Sequence, residues 1–250
     1  MAQDTVFLAD ETPQMLEAFK KAQNTFKYFW RESYWECHRT VPVLDMANVK
    51  VVFIQENPAA APLVEYMWIG DVDFDGIRVK GFLINNPDVL SNIKKGDAVE
   101  IPLDKVADWI FAIDGKAHGG FTVQVMRAGM SKKERREHDR AWGLDFGDPN
   151  KTLVAYEQEK HPENLIEHPM CINTKNSAED FMKKNPGEST SKDELGYTRL
   201  HRETIAGNKA LVELLLQMGA DMNAKTNEGY SALDFARKLG WEHIIPILQG

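Results

Sequence analysis

The sequence predicts an α+β fold, with a curled antiparallel sheet carrying a long N-terminal helix and a short all-α repeat module after it. Three observations predict it. A pattern of glycines and leucines recurs at a spacing of 33 residues between Gly196 and Leu248. Several short runs between Asn48 and Val125 alternate or are β-branched, with no stretch between them long enough for a crossover helix, which implies antiparallel pairing. And Pro13 to Glu36 places Met15, Leu16, Phe19, Ala22, Phe26, Phe29 and Trp30 on one face at helical spacing.

That first helix opens on Thr12-Pro13, a cap followed by Pro at the first helical position. Its aromatics (Phe26, Tyr28, Phe29, Trp30, Tyr34, Trp35) suit a helix wedged against a sheet better than a cofactor box. The expected strands are Asn48–Gln55, Leu63–Ile69, Ile77–Ile84, Ala98–Pro102, Val106–Ile113 and, last, Gly119–Val125. Asp75-Gly76 is a hairpin signal between the second and third. Leu90 to Lys95 reads as a helical turn. Ser131 to Arg140 reads as a charged helix with Ser131 capping and Glu134 at the capping-box position. Trp142, Leu144 and Phe146 are expected to pin the following tail to the sheet domain.

Part of this stretch resembles a known family. The carriers are Ala18-Phe19 with Ala22 and Phe26, Glu65 with Trp68, Gly81 with Asn86-Pro87, Ile93 to Val99, Asp108-Trp109, and Gly119-Gly120-Phe121-Thr122 leading to Met126-Arg127. Together they resemble an uncharacterised bacterial domain family, YegJ-like, that occurs alone or joined to ankyrin repeats. The resemblance spans roughly residues 12 to 130. It implies a fold unit and a bacterial origin but no reaction.

Toward the C-terminus, Gly196 and Gly229, Leu200 and Leu233, and Gly207 and Gly240 are each 33 residues apart. The period and pattern resemble the ankyrin repeat. Thr198 and Ser231 are expected as helix caps, Gly207 and Gly240 as left-handed helix ends. Leu211, Val212, Leu215 and Leu216 form the buried stripe of a second helix. Where the repeat usually has a small residue, the first copy has Glu203, which suits a solvated face. Shifting back one period reaches Ser177 to Lys184, a half-repeat closing the stack. The expected domains are therefore 1–155 for the sheet domain, 156–176 for a polar linker punctuated by Pro162 and Pro169, and 177–250 for about two and a half repeats.

Composition narrows the function. The chain is 43% apolar and 27% charged, as ordinary globular proteins are. A net charge of −8 argues against a general nucleic-acid binder and permits a basic partner. Two cysteines, Cys37 and Cys171, make neither a disulfide framework nor a zinc quartet. Residues 1–10 lack the features of a signal peptide, and no apolar run is long enough for a membrane span, so a cytoplasmic place is expected.

The candidate chemistry is sparse. Asp71, Asp73 and Asp75 before Gly76 imitate the start of an EF-hand loop, but its twelfth position is Phe82 rather than a bidentate Glu, and the flanks read as strands. An acidic hairpin turn is the plainer reading. His161 and His168, each before a proline, lack a spacing that would bring them onto one metal. No phosphate loop or nucleophile elbow is present. Asp108-Trp109 and Gly119-Gly120 read as a buried Trp with a bulge or tight turn, or else as a ligand-facing cleft. No cofactor and no metal are expected. The repeats offer contact positions instead: Tyr197, Ile205, Lys225, Asn227, Tyr230 and Lys238. The leading expectation is a non-catalytic protein that binds another protein, such as an immunity protein masking a basic toxin, with Asp71, Asp73 and Asp75 exposed to steer it. The alternative is an enzyme or small-ligand binder in the sheet domain, with the repeats recruiting.

Overall fold

A computed structural model describes residues 12–58 and 60–250. The N-terminal stretch judged for a signal peptide lies outside the described residues. The described residues form two compact units: those up to 29 with 41–154, and residues 30–40 with 155–250. Helix α1 (Pro13–Glu36) is a member of both, with its turns up to Phe29 in the first and those from Trp30 in the second.

In the first unit the described residues form a six-stranded antiparallel sheet in the order β4-β3-β2-β1-β5-β6. Its strands are β1 (Leu44–Gln55), β2 (Leu63–Phe74), β3 (Arg78–Leu83), β4 (Ala98–Pro102), β5 (Val106–Ile113) and β6 (Lys116–Gly119). Register follows the buried alternation, with Val49 facing Ile69 and Val51 facing Met67, all four in the core. A bulge between Gly70 and Asp73 puts Asp71 at φ 50° and bends β2. Gly81 is required where β3 crosses β2, because a Cβ there would lie 2.7 Å from the Gly70 carbonyl oxygen.

The apolar stripe of α1 covers one side of this sheet. Phe26 meets Phe74 edge-on at 5.1 Å, and the Trp109 indole N–H donates to the Ala22 carbonyl at 3.0 Å. Gln23 donates to the carbonyl of Val106 at 2.9 Å, so the helix is held by polar bonds as well as by packing. A second core gathers Ile110, Ala112, Val123, Leu144 and Phe146, with Trp68 and Trp142 against it. This is the expected pinning of the tail. The loop after β3 hangs on Glu65, whose carboxylate accepts the backbone N–H groups of Asp88 (2.8 Å) and Val89 (3.2 Å). Leu90 to Lys95 forms bends and turns rather than the helical turn expected.

The last expected strand, Gly119–Val125, is not one. The chain leaves β6 at Gly119 and enters helix α2 (Phe121–Ala128). The alternation of Phe121, Val123 and Val125 is compatible with either period, and the backbone decides it. Gly119 and Gly120 are both left-handed, at φ 75° and 70°. A Cβ on Gly119 would sit 2.2 Å from the Trp109 carbonyl oxygen, so only Gly fits. Helix α3 (Lys132–Trp142) follows with the expected capping box, Ser131 and Glu134 bonded reciprocally.

The second unit is helical: α4 (Pro169–Lys184), α5 (Arg199–Ile205), α6 (Lys209–Gln217) and α7 (Ala232–Leu239). Residues 156–176, expected as a linker, instead hold a 3-10 turn (Pro162–Leu165) and the first half of α4. Their prolines sit at first helical positions, where no N–H is lost, rather than breaking structure. Asn164, His168 and Cys171 are buried, so this stretch is part of the unit's core.

The 33-residue period is visible in the geometry. A Lys192–Thr198 bridge recurs as Lys225–Ser231. The Asp193 N–H to Tyr197 carbonyl bond recurs as Thr226 to Tyr230, and Asn208 to Glu203 recurs as Trp241 to Ala236. The two turns are joined, since the Asn227 amide donates to the Glu194 carbonyl at 2.9 Å. The final stretch, residues 241–249, makes turns and no regular helix, with Pro246 inside it.

Two stability outcomes are expected. Leu215 is 1% exposed, so Leu215→Ala costs roughly 2–5 kcal/mol in denaturant unfolding; an unchanged midpoint would disprove the burial described. Asp108→Ala leaves several buried N–H and O–H donors without their acceptor and costs roughly 2–4 kcal/mol, read in the same assay.

Candidate functional site

Strand β5 is buried along its whole length, and it carries a fully buried carboxylate. Asp108 accepts from the backbone N–H groups of Trp109 (2.8 Å), Phe121 (2.9 Å) and Thr122 (2.8 Å), and from the Thr122 hydroxyl (2.6 Å). Two of those N–H groups are the first of α2, whose own N-cap is Gly120 with no side chain to offer. Asp108 is thus a helix cap supplied from a strand. Burial pushes its carboxyl above the usual carboxylate range, and the bonds from Thr122, Trp109 and Phe121 oppose that. Lys50 lies opposite it in the β1–β5 ladder. Burial lowers the Lys50 ammonium, and the Asp108 charge resists the lowering. Of the two readings offered for Asp108-Trp109 and Gly119-Gly120, the geometry is that of the buried turn. Nearby, Arg127 holds Asp139 through two bonds, at 2.9 and 2.7 Å.

The acidic run at β2 divides. Asp71 and Asp73 are exposed. Asp75 is 6% exposed, and its carboxylate accepts from the N–H groups of Ile77 (2.8 Å) and Arg78 (2.6 Å). It is spent on closing the hairpin, which corrects the expectation that all three face solvent. Among the described residues no group of three His, Cys, Asp or Glu is placed to hold a metal ion.

The predicted contact positions of the repeats also divide. Lys225, Asn227 and Tyr230 share one turn, and Lys238 is exposed on α7. Tyr230 is half-buried against Phe235 at 5.6 Å. Tyr197 and Ile205 are interior, at 7% and 1% exposed. Tyr197 stacks on Phe235, and the Ile205 carbonyl accepts from the Trp241 indole N–H at 3.2 Å. Neither presents a side chain to a partner. His201 is the fold residue expected: Nε2 bonds the Ala224 carbonyl at 3.1 Å, and Nδ1 accepts from the Thr198 N–H at 3.0 Å. Burial lowers its pKa, which keeps that neutral tautomer.

Sequence reasoning missed a buried polar network in this unit. Glu203, expected on a solvated face, is 1% exposed. It accepts from the Tyr34 hydroxyl at 2.9 Å and the Asn208 amide at 2.8 Å. The Trp35 indole donates to Asn208 at 3.0 Å, and Trp35 packs with Cys171, Leu211 and Leu214. Burial beside Glu203 pushes the Tyr34 phenol up. One turn earlier on α1, Glu32 is bonded by His168 at 3.2 Å and paired with Arg39 at 2.7 Å. Burial would raise Glu32, but the His168 hydrogen bond and the Arg39 guanidinium reverse that and bring it down to about 2. His168 Nδ1 accepts the Met170 N–H at 3.1 Å, capping α4. Burial lowers its pKa in spite of Glu32, in keeping with that acceptor role. The signal available in the sequence was the glutamate standing in a slot that repeats usually fill with a small residue.

With this geometry in place, likeness to known proteins can be weighed. Residues 12–146 match the family described as an uncharacterized protein conserved in bacteria, DUF2314. The chain belongs to that family. Over all of its 250 residues it is 43% identical to a putative ankyrin repeat protein of Neisseria meningitidis serogroup B, covering 98% of that relative. It is 26% identical over 73 residues to the uncharacterized protein YegJ of Escherichia coli, which is 29% of this chain and 48% of that one. Over 50 residues it is 44% identical to the Notch-regulated ankyrin repeat-containing protein A of Danio rerio, 20% of this chain and 45% of that protein. No solved structure matches. The family match covers the sheet unit's strands and helices α1 to α3, and the Asp108 cap falls within it. No described helix is long and apolar enough to cross a membrane.

The Glu32–His168 pair predicts an acid response. The depressed Glu32 contributes stability that is present above its ordinary 4.5 and lost as pH falls toward about 2. The lowered His168 adds a loss that begins as pH falls through 6.5, where the unfolded chain takes up the proton first. Urea midpoints are expected to fall in both windows, and Glu32→Gln to flatten the lower one. A pH-independent midpoint between 7 and 5 would contradict the role given to His168.

Proposed function

We propose that this chain is a non-catalytic protein-binding protein, and that its helical unit is a short ankyrin-repeat stack whose turns carry contact residues. It acts in the bacterial cytoplasm as an immunity protein that covers a basic toxin. The observation that carries the reading is the recurrence, 33 residues apart, of the same bridge, turn and cap at Lys192–Thr198 and Lys225–Ser231. Repeats of this kind work by surface rather than by chemistry. The name of the Neisseria relative agrees with it. In the sheet unit the polar groups that could have made a reaction site are occupied in holding the fold: Asp108 caps α2, and Arg127 holds Asp139. The net charge of −8, with Asp71 and Asp73 exposed, favours a cationic partner through long-range steering.

The contact residues of the reading are Lys225, Tyr230 and Lys238, with Asn227 contributing through its hold on the neighbouring turn. The test is co-expression of toxins encoded beside the chain's own gene, scoring growth and complex formation with and without it. Protection with a stable complex is expected. Lys225→Ala with Tyr230→Ala should weaken that complex about tenfold or more, since a tyrosine anchor carries about 1–2 kcal/mol or above. Turnover of a metabolite by the purified chain, with no partner found, would replace this reading by an enzymatic one.

A further inference from the structure

We propose that the groove formed by residues 156–172 in the helical unit docks a cationic, amphipathic segment of a partner protein. This rests on the protein-binding reading above and names where on the unit, and by what chemistry, the partner is held. The groove has a volume of about 600 Å³. Its floor is apolar, made by Tyr156, Ile166, Pro169 and Ile172. Ile166 and Ile172 are 55% and 61% exposed, the most exposed large aliphatics of this unit among the described residues. Removing such side chains from water favours binding, so two in one groove form an adhesive surface.

The rim decides the occupant. Glu157 and Glu163 line the groove. From Ala155 to Ile172 the sequence holds four carboxylates (Glu157, Glu159, Glu163 and Glu167) against a single Lys160. Lys160 reaches back to Glu157 at 3.3 Å, and His161 sits 3.0 Å from Glu163. Glu167 is fixed by accepting the Ala210 N–H at 2.6 Å. An acidic or uncharged occupant could cover the isoleucines but would strand these carboxylates against it. A segment with apolar side chains on one face and lysines or arginines on the other satisfies both parts of the surface. The floor is also preformed. Asn164 is buried and donates to the Tyr156 carbonyl at 2.9 Å, and Pro169 opens α4 under the His168 cap. Binding then orders little of this chain, which favours affinity.

The experiment uses the full chain and a fluorescent synthetic helix of about 18 residues, five turns, with leucines on one face and lysines on the other. The controls are a scrambled peptide of equal composition and a version with glutamates for lysines. Anisotropy is expected to show the patterned peptide binding at least about tenfold more tightly than either control. Ile166→Ser with Ile172→Ser is expected to weaken it by about tenfold or more, the loss of partial burial of two side chains. Glu157→Gln with Glu163→Gln should weaken it and flatten its salt dependence. Thermal melts of both double variants, unchanged from the native chain, exclude misfolding as the cause. Equal binding of the scrambled peptide, or native affinity in both double variants, overturns the proposal. If a toxin complex is found and both groove variants leave it intact, the groove is overturned while the protein-binding reading stands. If the peptide occupies the groove as described but none of the neighbouring toxins is bound or protected against, the groove stands and the immunity reading falls.

Discussion

A carboxylate with no water around it must find donors, and in the sheet unit that requirement falls on Asp108. Its four short bonds converge from β5 itself and from the first turn of α2. An unpaired charge in that position would cost several kcal/mol, so the chain has to bring Phe121 and Thr122 within reach. The double left-handed step at Gly119 and Gly120 does this by turning the chain at once from β6 into a helix. The same strand sends Trp109 to the opposite side, where its indole N–H fastens α1 at Ala22. Strand β5 therefore holds one helix by a carboxylate and another by an indole, and the neighbouring strands are laid against it in order.

The helical unit answers the same requirement differently. Glu203 is as buried as Asp108, but its donors are side chains: the Tyr34 hydroxyl and the Asn208 amide, with the Trp35 indole completing the Asn208 bonds. Beside the aromatic end of α1, this slot needs something to receive an O–H and an amide. Glu203 is explained by its neighbours, and it makes residues 30–40 as much a part of this unit as the repeats themselves.

Much of the fold was legible because it is written in local patterns. The α1 stripe, the Asp75-Gly76 hairpin, the Ser131–Glu134 box and the 33-residue spacing each need only a few neighbouring residues to be recognised. What was not legible depended on distant partners. Phe121, Val123 and Val125 alternate like a strand, but the left-handed step at Gly119 and Gly120 turns the chain into a helix whose first N–H groups meet Asp108, 13 residues earlier. Pro162 and Pro169 looked like linker punctuation because the buried partner that gives His168 its place, Glu32, lies 136 residues away. The contact positions failed in the same way. Tyr197 and Tyr230 occupy equivalent places in the repeat, yet the first is covered and the second half-open, since a further turn packs over only one of them. Repeat position alone does not tell which copy is outermost.

The distribution of charge follows from these burials. Asp108, Glu203, Glu32 and Asp75 are all acidic and all interior, and each is matched by donors within the fold. Asp108 is matched by neutral N–H and O–H donors, whereas Glu32 pairs with Arg39 at 2.7 Å, and Glu203 and Asp75 lie 3.5 and 3.7 Å from Arg199 and Arg78. The cations are left largely at the surface, in pairs such as Lys183 with Glu179 and Arg202 with Asp193, and the 38 acids still exceed them by eight. That excess is concentrated where cations are sparse. Around residues 155–172 one lysine stands among four glutamates beside two exposed isoleucines. Acids in excess of the nearby cations are left at this surface, where a cationic partner can complete them.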